Sequence, residues 1–247
     1  MLPGRQFVSA LRIDGGGHDL YTGGLSVTGI PLEQVRDSLL YLIALILSIT
    51  VHEFGHAWMA NRLGDRLPAA QDRLTLNPLR HIDPIGTIVF PLLAQAGMPV
   101  LGWGKPVQTN PTAYTRKVTM RGGHALVAMA GPAMNLVMAA AVSVLVIVLA
   151  KTVGLPGDML GQLLGKLVAL NLFLMFFNLL PIPPLDGGAV LAWLLPPSMG
   201  NILAFLERWG FLILLGLLMT GSLRFLMIPA AFVIDSWISG LLWILTR

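Results

Sequence analysis

The chain has 247 residues, of which 55% are hydrophobic and 11% are charged, with a formal net charge of +4. Apolar runs of about twenty residues recur along it, so the composition excludes an ordinary soluble domain and predicts an all-α polytopic membrane protein. Because the basic residues cluster at the ends of apolar segments, no nucleic-acid surface is predicted, and the lack of cysteine excludes disulfides and thiol catalysis.

The apolar runs predict a bundle of five transmembrane helices, with six as the alternative. A polar tail over residues 1–31 precedes a membrane core over 32–195, and two further helices occupy 196–247, at roughly 202–220 and 223–245. In chain order the core is predicted to contain helix A (38–63, with Leu32 as an earlier start), a re-entrant segment (85–101), helix B (123–153), helix C (160–180) and a Pro/Asp loop (181–188).

The segment 85–101 is apolar but interrupted, because Pro91, Gly97 and Pro99 make it a poor straight helix. Basic loops flank it on both sides. Lys and Arg favour the cytoplasmic side of a membrane, and both loops can lie there only if the segment enters and returns without crossing. We therefore expect a re-entrant segment with both basic loops in the cytoplasm.

The most informative motif is His52-Glu53-Phe54-Gly55-His56, which lies inside an apolar run. On an α-helix, positions i and i+4 share a face, so both imidazoles can reach one metal ion. Glu53 then lies beside the metal. A carboxylate there can take a proton from zinc-bound water, whose pKa the metal lowers to about 7, and return it to a leaving amine. The pattern predicts peptide hydrolysis at one zinc ion, with a structural metal or a buried polar network as the alternative.

A zinc hydrolase keeps three protein ligands and one open position, so a third ligand must come from elsewhere in the chain. Asp186 is the leading candidate, because it lies among prolines and glycines that cannot continue helix C. Irregular backbone at membrane depth occurs only where it is buried in protein or lines a wet cavity. The alternative is an interfacial turn with a solvated Asp186. The rival ligands would then be Asp83, His81, His124 and Asp235, of which Asp235 is the most serious because it lies midway along the last apolar run.

Three motifs together resemble the site-2 protease family of intramembrane zinc metalloproteases, over about residues 39–195. They are the HExxH pattern at 52–56, a Gly-Pro-x-x-Asn element at 131–135 and a proline-rich motif ending in Asp-Gly at 178–187. The resemblance implies one zinc ion and a set of residue roles. These are zinc ligation by His52, His56 and Asp186, catalysis by Glu53, and positioning of the substrate backbone or its oxyanion by Asn135 and Asn178.

Within that family the chain resembles the short bacterial or archaeal type, with no room for a PDZ or CBS domain because its non-membrane segments reach only about twenty to thirty residues. The resemblance implies a multi-pass protein of the plasma or inner membrane of a prokaryote. Its expected reaction is hydrolysis of a peptide bond within or near a transmembrane segment of a membrane-protein substrate. The expected partners are that substrate and membrane lipids, and a regulatory partner is left open.

Two further hypotheses accompany this interpretation. An unwound substrate could pair with the segment 85–101 as an added strand. An apolar bundle with intramembrane His, Glu and Asp is also compatible with a zinc or proton transporter. One Glu beside two His, with one distant Asp, favours the hydrolase over several exchangeable ligands along a transport route.

Overall fold

The computed structural model of the protein describes residues 32–95, 98, 102–115, 117–154 and 158–246. Helices, turns and irregular loops make up this part of the chain, and no strand is assigned within it. The predicted polar tail over 1–31 lies outside the described residues, as does most of 96–101 at the end of the predicted re-entrant segment.

The helices follow one another through the whole described chain. They are α1 (Leu32–Arg62), α2 (Leu67–Ala70), α3 (Phe90–Gln95), α4 (Met120–Thr152), α5 (Asp158–Asn178), α6 (Asp186–Leu194), α7 (Gly200–Met219), α8 (Leu223–Leu226) and α9 (Ile228–Leu245). Among the described residues, five helices are long and apolar enough to cross a membrane, namely α1, α4, α5, α7 and α9. The predicted all-α polytopic fold is confirmed.

Local capping explains where the long helices begin and end. Gly64 has a positive φ of 106°, which suits the residue just beyond the end of α1. Thr119 precedes α4, and its side chain accepts a hydrogen bond from the Gly122 N–H. This cap starts α4 three residues before the predicted position 123.

Helices α1, α4 and α5 pack against one another at the centre of the molecule. Helix α9 packs against α4 and α5. The buried apolar side chains between them come from all four helices, among them Ala44, Val146, Leu172 and Ile238. Where α1 meets α4, a Cβ atom on Gly55 would lie 2.5 Å from the carbonyl oxygen of Ala130. Glycine at this position therefore allows the two backbones to approach closely.

The predicted re-entrant segment is helical over residues 85–95. A π-helical turn over Pro84–Val89 leads directly into α3. At about 1.5 Å per residue, twelve helical residues are much too short for a hydrocarbon core of about 30 Å. Residues 102–110 have no regular secondary structure and pack back against this turn, and we term them the front loop. Its Trp103 and Lys105 N–H groups donate to the carbonyls of Gly86 and His81.

Two predicted boundaries differ from the structure in the second half of the chain. The Pro/Asp loop predicted over 181–188 ends at Leu185, because α6 begins at Asp186. The helix predicted over 223–245 is divided into α8 and α9 around Met227. Pro229 accounts for the division, since it lacks an N–H group and is tolerated in the first turn of a helix but not in its interior.

Candidate metal centre

His52, His56 and Asp186 converge at one point of the structure. The Nε2 atoms of His52 and His56 are 3.0 Å apart. The carboxylate of Asp186 places Oδ2 3.2 Å from His52 Nε2 and Oδ1 3.5 Å from His56 Nε2. Among the described residues, these three form the group whose donor atoms are close enough together to hold a metal ion.

Two helices that are distant in sequence bring these side chains together. His52 and His56 are one turn apart on α1, so their rings share a face. Asp186 is the first residue of α6, which starts where the chain turns back after α5. A Cβ atom on Gly187 would lie 2.3 Å from the carbonyl oxygen of Leu180. The missing side chain therefore allows α6 to begin directly against the end of α5, with Asp186 facing α1.

The helix α4 closes the site from a third side, and Gly131 permits its approach. A Cβ atom there would lie 2.4 Å from His56 Cε1 and 2.7 Å from His52 Cε1. The backbone of α4 also orients the second ring, because His56 Nδ1 lies 2.8 Å from the Val127 carbonyl oxygen. A carbonyl only accepts hydrogen bonds, so Nδ1 carries the proton and the Nε2 lone pair points toward Asp186.

The donor set fits a zinc ion. Zinc–ligand bonds of about 2.0–2.2 Å in a tetrahedral site place neighbouring donors about 3.3 Å apart, close to the separations found here. The buried Asp186 Oδ2 has no hydrogen-bond partner among the described residues. Two imidazole nitrogens and a carboxylate facing one another are acceptors without a donor, which a shared cation satisfies. Two His and one carboxylate are also the ligand set of hydrolytic zinc sites with an open fourth position.

Glu53, adjacent to His52 on α1, faces the loops instead of the ligands. Its Oε2 accepts a hydrogen bond of 3.0 Å from the Val107 N–H of the front loop and lies 4.0 Å from Arg73. The buried Arg73 guanidinium also donates to the carbonyls of Arg80 and Lys105. Burial lowers the pKa of Arg73 below its usual value, and the Glu53 carboxylate opposes this effect. The carboxylate is thus held by a loop N–H group and a buried cation.

A cavity of about 810 Å³ opens in front of these groups. Its wall contains the metal-site residues His52, His56 and Asp186 together with Glu53. Further lining residues come from most of the surrounding helices and from the front loop, and include Trp103, Gly104, Val107, His124, Phe173, Phe177, Asn178, Leu203 and Glu207. The arrangement therefore combines a metal site, a neighbouring carboxylate and room for a peptide.

Three curated relatives align with most of this chain. The sequence is 38% identical over 184 residues to YwhC of Bacillus subtilis, an alignment that covers 72% of this chain and 80% of that protein. It is 35% identical over 197 residues to Rip2 of Mycolicibacterium smegmatis and 33% identical over 200 residues to Rip2 of Mycobacterium tuberculosis. Each of these two alignments covers 78% of this chain and 72% of the relative. The names of all three designate them as candidate zinc metalloproteases.

The chain belongs to the site-2 protease family. With these relatives and the cluster of His52, His56 and Asp186, the protein is a zinc metalloprotease with several membrane-spanning helices. No protein-family model and no solved structure matches the sequence.

The rival ligands lie outside the metal cluster of this family member. Asp83 caps the π-helical turn, with its side chain accepting from the Ile85 and Gly86 N–H groups. His81 is fully buried, with Nε2 2.8 Å from the Thr75 carbonyl oxygen, and burial lowers its pKa. His124 is exposed near the start of α4 and lines the cavity. Asp235 is exposed on α9.

The two asparagines predicted to position substrate occupy different places. Asn178 lines the cavity, while its amide donates back to the Leu174 carbonyl. Asn135 is fully buried behind His52, with its Oδ1 2.6 Å from His52 Nδ1. Asn135 is not among the residues that line the cavity, and it contacts the ring of His52, which does line it.

Sequence reasoning did not identify three residues around this centre. Arg73 belongs to a loop whose basic residues look alike as topogenic charges, so no signal distinguished it. Ser48 and Asn171 are fully buried near His52. Asn171 lies inside the apolar run of α5, and a polar amide at that position was the available signal.

Proposed function

We propose that the protein is an intramembrane endopeptidase that cleaves a peptide bond within or near a transmembrane segment of a membrane-protein substrate. The position of the metal centre within α1 carries this proposal. His52 is ten residues before the end of α1 at Arg62, or about 15 Å at 1.5 Å per residue. With the basic Arg62 at the membrane surface, this distance would put the centre within a hydrocarbon core of about 30 Å, which supports the proposal.

The chemistry that we propose assigns a separate role to each group. A zinc ion held by His52, His56 and Asp186 supplies Lewis acidity, which activates water at neutral pH and polarises a carbonyl. Glu53 acts as the general base, taking a proton from the attacking water onto its carboxylate and delivering it to the leaving amine nitrogen. The Val107 N–H group and Arg73 hold that carboxylate in place.

The front loop offers an edge on which an unwound substrate can bind. Trp103 and Lys105 use their N–H groups on the protein side. The N–H and C=O groups of Gly104 between them have no partner among the described residues, and Gly104 lines the cavity. We therefore assign the added-strand hypothesis to 102–108, because residues 85–95 of the predicted segment are helical. Asn178 lines the cavity, which supports its role as a substrate-positioning amide.

We also propose the membrane in which the protein lies and the molecules that it contacts there. The relatives named above are bacterial proteins, which supports placement in the plasma or inner membrane of a prokaryote with lipids and a transmembrane substrate as partners. No observation favours the zinc or proton transporter. A transport route would require further exchangeable ligands, and among the described residues a single cluster has metal-binding geometry.

Zinc stoichiometry and cleavage, measured on the same purified samples, test this function. The full chain in detergent is assayed with test transmembrane segments and with water-soluble casein. We expect one zinc per chain in the wild type and in Glu53→Gln, and a loss of cleavage of about 10²–10⁴-fold in Glu53→Gln. His56→Ala serves as the control that loses zinc.

Three outcomes would contradict the proposal in different ways. Equal cleavage by wild type and Glu53→Gln would remove Glu53 from the mechanism. Cleavage of casein but of no transmembrane segment would reject the intramembrane substrate. Zinc flux into proteoliposomes without any proteolysis would favour the transporter.

A further inference from the structure

A chain of buried polar side chains lies directly behind His52, on the side away from the cavity. It consists of Asn135 on α4, Asn171 on α5 and Ser48 on α1, and we term it the rear relay. All three residues have a relative exposure of 0%. Buried polar side chains destabilise a protein unless every donor has an acceptor. The hydrogen bonds of these three residues therefore determine which way each side-chain amide is oriented.

Backbone carbonyls fix the orientation of Asn171. Its Nδ2 lies 2.8 Å from the Leu167 carbonyl oxygen and 2.8 Å from Ser48 Oγ. A carbonyl cannot donate, so the atom facing Leu167 must be the amide nitrogen. Ser48 uses its own hydroxyl hydrogen on the Ala44 carbonyl, 2.7 Å away, and can therefore only accept from Asn171. The oxygen of Asn171 is left facing Asn135.

The orientation of Asn135 follows from these contacts. Its Nδ2 lies 3.2 Å from the Ser48 carbonyl oxygen and 2.8 Å from Asn171 Oδ1. Both neighbours are acceptors, so both N–H groups of Asn135 are used there. Rotating this amide by half a turn would bring its oxygen against two other oxygens. Only the oxygen of Asn135 remains available to His52, at 2.6 Å from Nδ1.

We propose that Asn171 and Ser48 are positioning residues that select the metal-binding tautomer of His52. Because the atom of Asn135 that faces His52 is its oxygen, which can only accept, the imidazole proton stays on Nδ1 and the Nε2 lone pair faces Asp186 and His56. The inference rests on His52 being a zinc ligand, and it is independent of whether the substrate lies in the membrane.

The two histidine ligands differ in the group that fixes their tautomer. A backbone carbonyl, which cannot reverse its polarity, sets the tautomer of His56 directly. A side-chain amide, which can rotate, sets that of His52. The relay supplies what the amide lacks, because it connects Asn135 to the fixed carbonyls of Leu167 and Ala44 through Asn171 and Ser48.

The test compares Asn171→Leu with a matched variant, Ser143→Ala, using the purified full chain in detergent. Ser143 is also a buried polar link between helices, since it donates to the Ala139 carbonyl and accepts from Trp237 Nε1, but it does not connect to His52. We expect Asn171→Leu to bind zinc about 10–100-fold more weakly in chelator competition, as for other partners of metal-binding histidines. Ser143→Ala should stay within about twofold of wild type.

A second measurement reads the tautomer itself. Nitrogen NMR of the zinc-free protein, labelled at histidine with ¹⁵N, should show His52 protonated at Nδ1 in the wild type and a mixture of tautomers in Asn171→Leu. Ser48→Ala removes one acceptor and leaves Asn171 in place, so its effect on zinc affinity should have the same direction but stay below about tenfold.

The proposal is overturned if Asn171→Leu binds zinc like the wild type, or if it and Ser143→Ala weaken binding equally. Should Asn171→Leu fail to fold, Ser48→Ala decides the matter. Wild-type zinc affinity together with an unchanged His52 tautomer in that variant would reduce the relay to a structural network.

Discussion

Two walls of the metal centre hold neighbouring residues of α1 in contrasting ways. His52 faces the rear wall, where Asn135, Asn171 and Ser48 are fully buried and come from three packed helices. Glu53 faces the front wall, where its partners are the Val107 N–H group of the front loop, which lines the cavity, and the buried guanidinium of Arg73. Consecutive residues on a helix point about 100° apart, so one turn of α1 can serve both walls.

The contrast matches what each residue is required to do. A ligand needs one fixed ring orientation and one tautomer, which a dry network of side chains on rigid helices provides. A general base must meet water and substrate, which requires an open side. Loops supply that opening while a backbone N–H group and one guanidinium keep the carboxylate in position. Rear-wall changes should therefore alter metal binding, and front-wall changes should alter turnover.

The largest effect is expected from filling the space that Gly131 leaves at the rear wall. In Gly131→Ala the new Cβ atom would meet both imidazoles, at 2.4 Å and 2.7 Å from their Cε1 atoms, and displace them. Zinc affinity should fall by about 100-fold or more, and proteolysis with it. Chelator competition measures this loss. The control is Gly216→Ala on α7, where a Cβ atom meets nothing within 4 Å. Unchanged zinc binding in Gly131→Ala would contradict this prediction, because it would show that the rear wall can shift to accommodate a methyl group without loss of zinc affinity.

A smaller and different effect is expected from Arg73→Met at the front wall. The variant removes the cation beside Glu53 and two hydrogen bonds to loop carbonyls. Breaking a buried pair costs about 3–5 kcal/mol, so we expect a lower unfolding temperature and about 10–100-fold lower kcat/KM. Zinc affinity should remain within about threefold of wild type.

The matched control for that variant is Arg80→Met. Arg80 pairs with Asp72 at 3.3 Å on the surface, where an ion pair contributes at most about 1 kcal/mol. If Arg73→Met lost zinc as strongly as Gly131→Ala, the proposed division between metal binding at the rear wall and turnover at the front wall would be wrong.

The smallest expected effect concerns acid stability at the front wall. Burial lowers the pKa of His81 below its ordinary value of 6.5, so the folded protein keeps it neutral while the unfolded chain takes up a proton. Its contribution to stability is therefore complete above pH 6.5 and declines as the pH falls below that value. His81→Gln should reduce the difference in unfolding temperature between about pH 8 and about pH 5.5. An unchanged difference would contradict this role.

The sequence predicted those features that depend on near neighbours along the chain. The apolar runs identified five spans because a membrane helix satisfies its own backbone hydrogen bonds. The spacing of His52 and His56 placed two imidazoles on one face because α-helical geometry is fixed locally. The position of the front loop and the burial of Arg73 had no such local signal, since both depend on how loops fold over the end of α1.

The amino-acid sequence by itself determined the helical spans, the paired histidines, the neighbouring carboxylate and, through its motifs, a short list of residues for the third ligand. The tertiary structure alone decided that Asp186 reaches the imidazoles, that Asp235 does not, and that Asn135 supports His52 from behind. Those outcomes depend on close helix contacts at glycines such as Gly131 and Gly187. Such contacts join residues far apart in the chain, and no local pattern encodes the distance between them.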